Sequence, residues 1–264
     1  MKAKAPLWRR GARYARQLPE RLGERLVTPL VGTIRRVAAE EPVAALTFDD
    51  GPHPEYTPRL LEILAAHGAK ATFFVVGEAV AAQPRLARRM VDEGHALANH
   101  TFSHRSLPTL ARAERLEQLR RCAEALAPYG GDHRLLRPPY GDQDWATRLD
   151  ALRLGYRVVT WTYAVQDWEV HEADFFEQTI AEKLRPGSIV LLHDTLYRIA
   201  APELADRSPT LRAVERTLER FTDYAFVTVP ELLTRGTIKR TVWLKRSAAE
   251  WLAGLNEVEN GRET

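Results

Sequence analysis

Two adjacent carboxylates, Asp49 and Asp50, close the apolar run Val43-Ala44-Ala45-Leu46-Thr47-Phe48 and are followed by Gly51-Pro52. The run reads as a short buried strand, and Gly-Pro as the turn that stops it. Both carboxyls therefore fall at a strand's C-terminal end, where ligands and catalytic groups gather in α/β folds. Neighbours on a strand point to opposite faces, but a turn at the frayed end can bring both carboxyls to one place. There like charges would raise one pKa unless a cation intervenes. One Asp could then ligate a metal while the other stays free as a base. The competing account is an Asp-Asp-Gly turn that caps the next helix, which begins near Thr57-Pro58.

A second candidate is His100-Thr101-Phe102-Ser103-His104. Two imidazoles four residues apart, in a helical or tightly turned segment, lie on one side within reach of one ion. With a carboxylate they make a two-His, one-Asp set that suits Zn²⁺ but also Fe, Ni or Co. Alone, such a pair can equally be a solvated helix face. In Arg137-Pro138-Pro139-Tyr140-Gly141 the two prolines fix φ and donate nothing, which would leave the Tyr140 N–H to point at a ligand. Arg137 could anchor a carboxylate bidentately. Asp167-Trp168 and His193 complete the set: an Asp that hydrogen-bonds a histidine ring sets its tautomer and raises its pKa, as a general acid requires.

The elements that must carry these groups alternate. Strands are expected at Val43–Phe48, Ala71–Gly77, His95–Ala98, Leu135–Leu136, Arg157–Thr160, Ser188–Leu192 and Phe226–Val229, seven in all, each followed or preceded by a helical pattern. That alternation is the signature of an α/β fold with a parallel sheet. The chemistry-bearing residues fall at the ends of several of those strands.

At 264 residues and 45% apolar content the chain can build a sizeable core. A single cysteine, Cys122, excludes an internal disulfide and a multi-cysteine zinc cluster. Residues 1–27 hold eight Lys or Arg against two Glu, a net +6, which against the whole-chain +3 leaves the remainder at −3. The leader has no apolar core long enough for a signal peptide or a membrane span. Trp8, Ala12, Ala15, Leu18, Leu22 and Leu26 recur at helical spacing. A basic amphipathic helix in peripheral contact with an anionic membrane is one reading, a helix packed on the domain the other. A cytoplasmic or membrane-peripheral protein is expected. An acidic domain without interleaved aromatic and basic residues argues against nucleic acid. The division expected is a leader (1–27), a catalytic domain (28–235) and a C-terminal extension (236–264) that packs outside the sheet through Val242-Trp243-Leu244 and Trp251-Leu252.

In order and spacing, Thr47-Phe48-Asp49-Asp50-Gly51-Pro52, His100-x-x-x-His104, Arg137-Pro138-Pro139-Tyr140, Asp167-Trp168 and Leu191-Leu192-His193 resemble the polysaccharide deacetylases of the NodB-homology type, carbohydrate esterase family 4. The resemblance runs from about Thr28 to Leu233. It implies a distorted (β/α) barrel with fewer than eight strands, in keeping with the seven counted. It also implies a metal-dependent hydrolase that deacetylates an N-acetylated sugar such as a chitin oligomer or peptidoglycan. By the resemblance Asp49 is the general base, Asp50, His100 and His104 hold a divalent metal, zinc foremost, and Arg137 orients Asp49. Tyr140 offers its backbone N–H to the oxyanion, His193 is the general acid tethered by Asp167, and Trp168 and Leu191 wall the acetyl pocket. One departure stands out: the family often has an acidic residue three positions after Trp161, where this chain has Ala164. That reads as altered packing or substrate contact rather than lost activity. The alternatives are an O-acetyl esterase of xylan type, a related barrel hydrolase opening a cyclic amide or ureide, and a catalytically inactive glycan- or membrane-binding module.

Overall fold

The computed structural model of the protein describes residues 28, 31–130, 134–199 and 202–253. The reading of residues 1–27 as an amphipathic, membrane-contacting helix lies outside the described residues, as do residues 254–264. Among the described residues no helix is long and apolar enough to cross a membrane. The elements run β1 (Thr33–Ala38), β2 (Val43–Asp49), α1 (Tyr56–Ala66), β3 (Ala71–Val75), α2 (Gly77–Ala82), α3 (Pro84–Asp92) and β4 (Ala96–Asn99). They continue with α4 (Arg112–Leu126), β5 (Leu135–Leu136), α5 (Trp145–Arg153), β6 (Arg157–Val158), β7 (Tyr163–Ala164), α6 (Ala173–Lys183) and β8 (Ile189–His193). The last are α7 (Ser208–Arg220), β9 (Ala225–Phe226), α8 (Val229–Leu232) and β10 (Thr237–Thr241).

Seven parallel strands follow one another in the order β6-β5-β4-β3-β2-β8-β7, and β9 joins the start of β2 at Val43 and Ala44. The sheet curls into a distorted (β/α) barrel, and every strand expected from the sequence lies in it. The unforeseen member is β7, two residues held by the neighbouring strand through Tyr163–Val190 and Ala164–Leu191 pairing. The expected strand at Phe226–Val229 is cut short at Phe226. Thr228 accepts the Glu231 N–H at 3.3 Å and caps α8, whose first turn holds Pro230. A second small sheet pairs β1 antiparallel with β10. β1 spans the gap between the sheet's two ends, giving its Ile34 carbonyl to the Thr160 N–H at 2.9 Å and taking the Gly187 carbonyl through the Val37 N–H at 2.9 Å.

Side-chain alternation sorts the core. Leu46, Phe48, Phe73, Leu97, Val190 and Leu192 pack outward against the helices, whereas Ala45, Phe74, Ala98 and Ile189, one residue out of step, share the interior cluster. The period of two carries Thr47 and Asp49 onto the interior face with Ala45, and Leu191 and His193 with Ile189. The parallel register of β2 on β8 sets Thr47 beside Leu191 and Asp49 beside His193.

Candidate active site

Asp49 is the last residue of β2 and its side chain is buried. Arg137, which follows β5 and is fully buried, donates from Nη1 to Asp49 Oδ1 at 2.6 Å and to Thr47 Oγ1 at 2.9 Å, and from Nη2 to the Thr160 carbonyl at 2.9 Å. The single guanidinium fixes the Asp49 carboxylate by one oxygen and leaves Oδ2 without that hold. Asp50 should point the other way on a regular strand. Its backbone instead turns into the left-handed region, φ +80°, uncommon for a residue with a Cβ. That turn brings the second carboxyl to the same place, where its Oδ2 accepts the Tyr197 N–H at 2.9 Å.

The histidine pair sits on a tight turn rather than a helix. The Thr101 N–H donates to Asn99 Oδ1 at 2.8 Å, and the Phe102 and Ser103 N–H groups share Gln118 Oε1 at 3.2 and 2.9 Å. Thr101 and His104 both take positive φ, +70° and +53°. The result aims both Nε2 atoms at Asp50 Oδ1, at 3.3 Å from His100 and 3.1 Å from His104. His100 Nδ1 lies 2.6 Å from the Arg137 carbonyl, which can only accept, so Nδ1 carries a proton and Nε2 is the ring nitrogen that faces Asp50.

Asp50 Oδ1 is buried with no hydrogen-bond partner, and both imidazole Nε2 atoms face it across this gap. Burial opposes the Asp50 charge, but positive charge on the facing His104 and His100 rings would hold its pKa well below the ordinary value, as a bound cation would in their place, while burial pushes the His104 imidazole down. An ionised carboxylate and a neutral imidazole are the forms a divalent cation binds. Donors about one zinc at ~2.0–2.2 Å stand on the order of 3–3.5 Å apart, and the spacing here agrees. Asp50, His100 and His104 thus fit a metal.

On the other side of the site Asp167 is bound through both oxygens. Asp167 Oδ1 lies 2.8 Å from His193 Nδ1, and its Oδ2 accepts the His193 N–H at 2.8 Å and Arg207 Nη2 at 2.6 Å. Arg207 Nη1 also donates to the Asp167 carbonyl at 2.7 Å. Burial alone would push the His193 imidazole down, but the Asp167 carboxylate outweighs it, with help from Asp50 and Asp49, and holds the pKa above its ordinary value. Trp168 meets the His193 ring edge-on at 5.7 Å.

Asp49, Asp50, His100, His104, Tyr140, Trp168, Leu191 and His193 all line one cavity of about 480 Å³, so every expected residue converges there except Arg137 and Asp167, which stand behind Asp49 and His193. Ala164 pairs with Leu191 on β7 and is not among the lining residues. Sequence reading missed Arg207, 40 residues from the Asp it supports. It also missed Lys245 and Trp251, which reach the cavity from the C-terminal extension. No local pattern marks these three. Tyr140 takes φ +59° and packs its ring on His104 at 4.6 Å.

Residues 36–159 match the family model described as polysaccharide deacetylase. A chitooligosaccharide deacetylase of Sinorhizobium fredii is 34% identical over 199 residues, 74% of this chain and 93% of that protein. The crystal structure of a peptidoglycan N-acetylglucosamine deacetylase in complex with 4-naphthalen-1-yl-N-oxidanyl-benzamide is similar with TM-score 0.69 and 28% identity, covering 78% of this chain and 94% of that one. A family 4 carbohydrate esterase pseudoenzyme from Bacillus anthracis has TM-score 0.68 and 28% identity, over 79% and 71%. The fold and five ordered motifs converging in one cavity, together with these likenesses, lead to one conclusion: the chain belongs to the polysaccharide deacetylase family, carbohydrate esterase family 4.

Proposed function

We propose that the protein removes the acetyl group from an N-acetylated glycan by metal-assisted hydrolysis, with a chitin oligomer or peptidoglycan as the substrate class. The observation that carries this reading is the register of β2 on β8, which sets Asp49 beside His193 next to a three-residue cation site. A divalent ion held by Asp50, His100 and His104, zinc being the best match to the donor set, would supply Lewis acidity to the acetyl carbonyl and to the attacking water.

The chain's own groups have separable tasks. Asp49, pinned through Oδ1 by Arg137, keeps Oδ2 to take the proton from water as it attacks. Tyr140, whose ring packs on His104, would offer its backbone N–H to the developing oxyanion, a contact of a kind that contributes about 3–4 kcal/mol. His193, its Nδ1 bound to Asp167, gives a proton from Nε2 to the departing amine. An amine leaves poorly without that proton. Trp168 and Leu191 form the wall against which the acetyl methyl fits.

Acetate release from N-acetylglucosamine oligomers and from peptidoglycan, with Zn²⁺ or Co²⁺ added and with chelator, tests the proposal. Release that needs the metal and is lost in Asp49→Asn supports it. Release from acetylated xylan alone would move the assignment to an O-acetyl esterase. Release from none of these by metal-loaded protein would place the chain with the pseudoenzymes.

A further inference from the structure

The C-terminal extension does not end at its pairing with β1. Beyond β10 it crosses to the loop that carries Arg137 and Tyr140 and is clamped there. Trp243 Nε1 donates to the Gly141 carbonyl at 3.0 Å, Lys245 Nζ to the Tyr140 carbonyl at 2.6 Å, and the backbones of Lys245 and Gln143 exchange hydrogen bonds at 2.9 and 3.1 Å. The Ser247 N–H and hydroxyl both donate to the fully buried Asp142 carboxylate, at 3.0 and 2.9 Å, and Arg246 reaches Asp144 at 3.0 Å. A helical turn over 249–253 then sets Trp251 against the Tyr140 ring, edge to face at 5.2 Å and 85°.

Half of Trp251 remains exposed, 51%, although it lines the cavity that holds Asp49 and His193. Ring contacts place it on the His104 side through Tyr140, while Trp168 stands on the His193 side. An indole set against the Tyr140 ring and left open to water at the wall of a polar site is an apolar surface prepared for an occupant. The C–H face of a pyranose matches it, because axial C–H bonds carry partial positive charge and the indole face is negative.

Resting on the deacetylase reading, we propose that Trp251 is a stacking platform for the sugar unit next to the one being deacetylated. The C-terminal extension is thereby a substrate-binding element that selects oligosaccharides over monosaccharides, with Lys245, Trp243 and Ser247 as positioning residues that hold it in place. A lone N-acetylated sugar fills the catalytic end of the cavity without reaching the platform.

The test uses the full-length, metal-loaded protein. The ratio of kcat/KM for an N-acetylglucosamine tetramer to that for the monomer should fall in Trp251→Ala by on the order of 3- to 10-fold, mostly through KM. Trp251→Phe should restore most of it, and Trp145→Ala, exposed on α5 away from the cavity, should leave the ratio as it is. Calorimetric titration of the tetramer into Asp49→Asn, with and without Trp251→Ala, should show the same loss in Kd. With wild type active on the tetramer, an unchanged ratio and unchanged Kd would overturn the Trp251 assignment and leave the deacetylase reading standing. No acetate from either sugar or from peptidoglycan would overturn the deacetylase reading, and this assignment with it; acetate from peptidoglycan alone, with no loss of tetramer Kd in the titration, would overturn the Trp251 assignment only.

Discussion

On the His193 side of the cavity protein atoms engage both oxygens of the carboxylate behind the histidine; on the Asp50 side the candidate ligand oxygen has no partner. Both oxygens of Asp167 are engaged, by His193 and Arg207, and only Arg207 Nε, at the back of that guanidinium, is buried without a partner. Across the cavity Asp50 Oδ1 and His104 Nδ1 are buried without hydrogen-bond partners, and two imidazole Nε2 atoms point at the Asp50 oxygen. Buried polar groups are normally satisfied, and an orphan among candidate ligands signals a missing charge. The difference teaches which half of the proposed machinery is pre-organised by folding and which is completed by a cation.

The comparison can be broken most forcefully on the incomplete side. His104→Ala should lower acetate release by on the order of 10³-fold, the rate equivalent of several kcal/mol of Lewis-acid assistance, and should abolish the rise in Tm on adding Zn²⁺. Metal content by elemental analysis checks it; a variant that keeps its metal would mean that the three residues do not hold one ion. Asp49→Asn should cost about 10²–10⁴ in rate with metal content unchanged, since it removes a base and no ligand.

Changes on the complete side should be selective. His193→Ala should depress turnover of N-acetyl sugars far more than of an aryl acetate, because a phenolate leaves without a proton and an amine does not; an equal loss on both would remove His193 as the acid. Arg207→Met leaves the buried Asp167 carboxylate short of a cation, a change that costs about 3–5 kcal/mol of stability in comparable buried pairs. Chemical denaturation measures that cost, and Arg207→Lys should recover part of it.

The smallest effect is on pH dependence. His193 is held above its ordinary value of 6.5 mainly because Asp167 offsets burial. Its proton is therefore retained below the raised pKa, and activity on amides should persist through neutrality and fall only as pH climbs past that value. A cation at Asp50 cancels part of the Asp50 contribution but leaves Asp167 in place. In Asp167→Asn the largest upward push is gone and burial is opposed only by Asp49 and what remains of the Asp50 contribution, so the alkaline limb should move to lower pH; a limb that stays put would show that Asp167 does not set it.

Much of this was legible in the residues. Alternating apolar runs and turn signals located all seven expected strands, and each motif ended one of them or followed it closely, because side-chain period and turn chemistry are local properties. The left-handed turn at Asp50 is legible only as a way for a frayed strand end to bring both carboxyls together; the contacts made there come from elsewhere in the chain, the Asp50 N–H donating to the Phe74 carbonyl at 3.2 Å and Oδ2 accepting the Tyr197 N–H at 2.9 Å. β7 and the β1–β10 pair carry too few residues, or too little alternation, to announce themselves, and exist because a neighbour supplies their hydrogen bonds.

By itself the sequence determined the strand order along the chain, the pair of carboxylates, the histidine spacing and the family. Tertiary structure alone decided that Asp49 lies beside His193, that His100 carries its proton on Nδ1, that Arg207 stands behind Asp167, and that Trp251 reaches the cavity. The physical reason is the range of the interactions. Strand and turn preferences are set by neighbours within a few residues, whereas these contacts join positions 37 to more than 100 residues apart. They come together only when the sheet curls, because the curl brings the C-terminal ends of strands remote in sequence around one cavity.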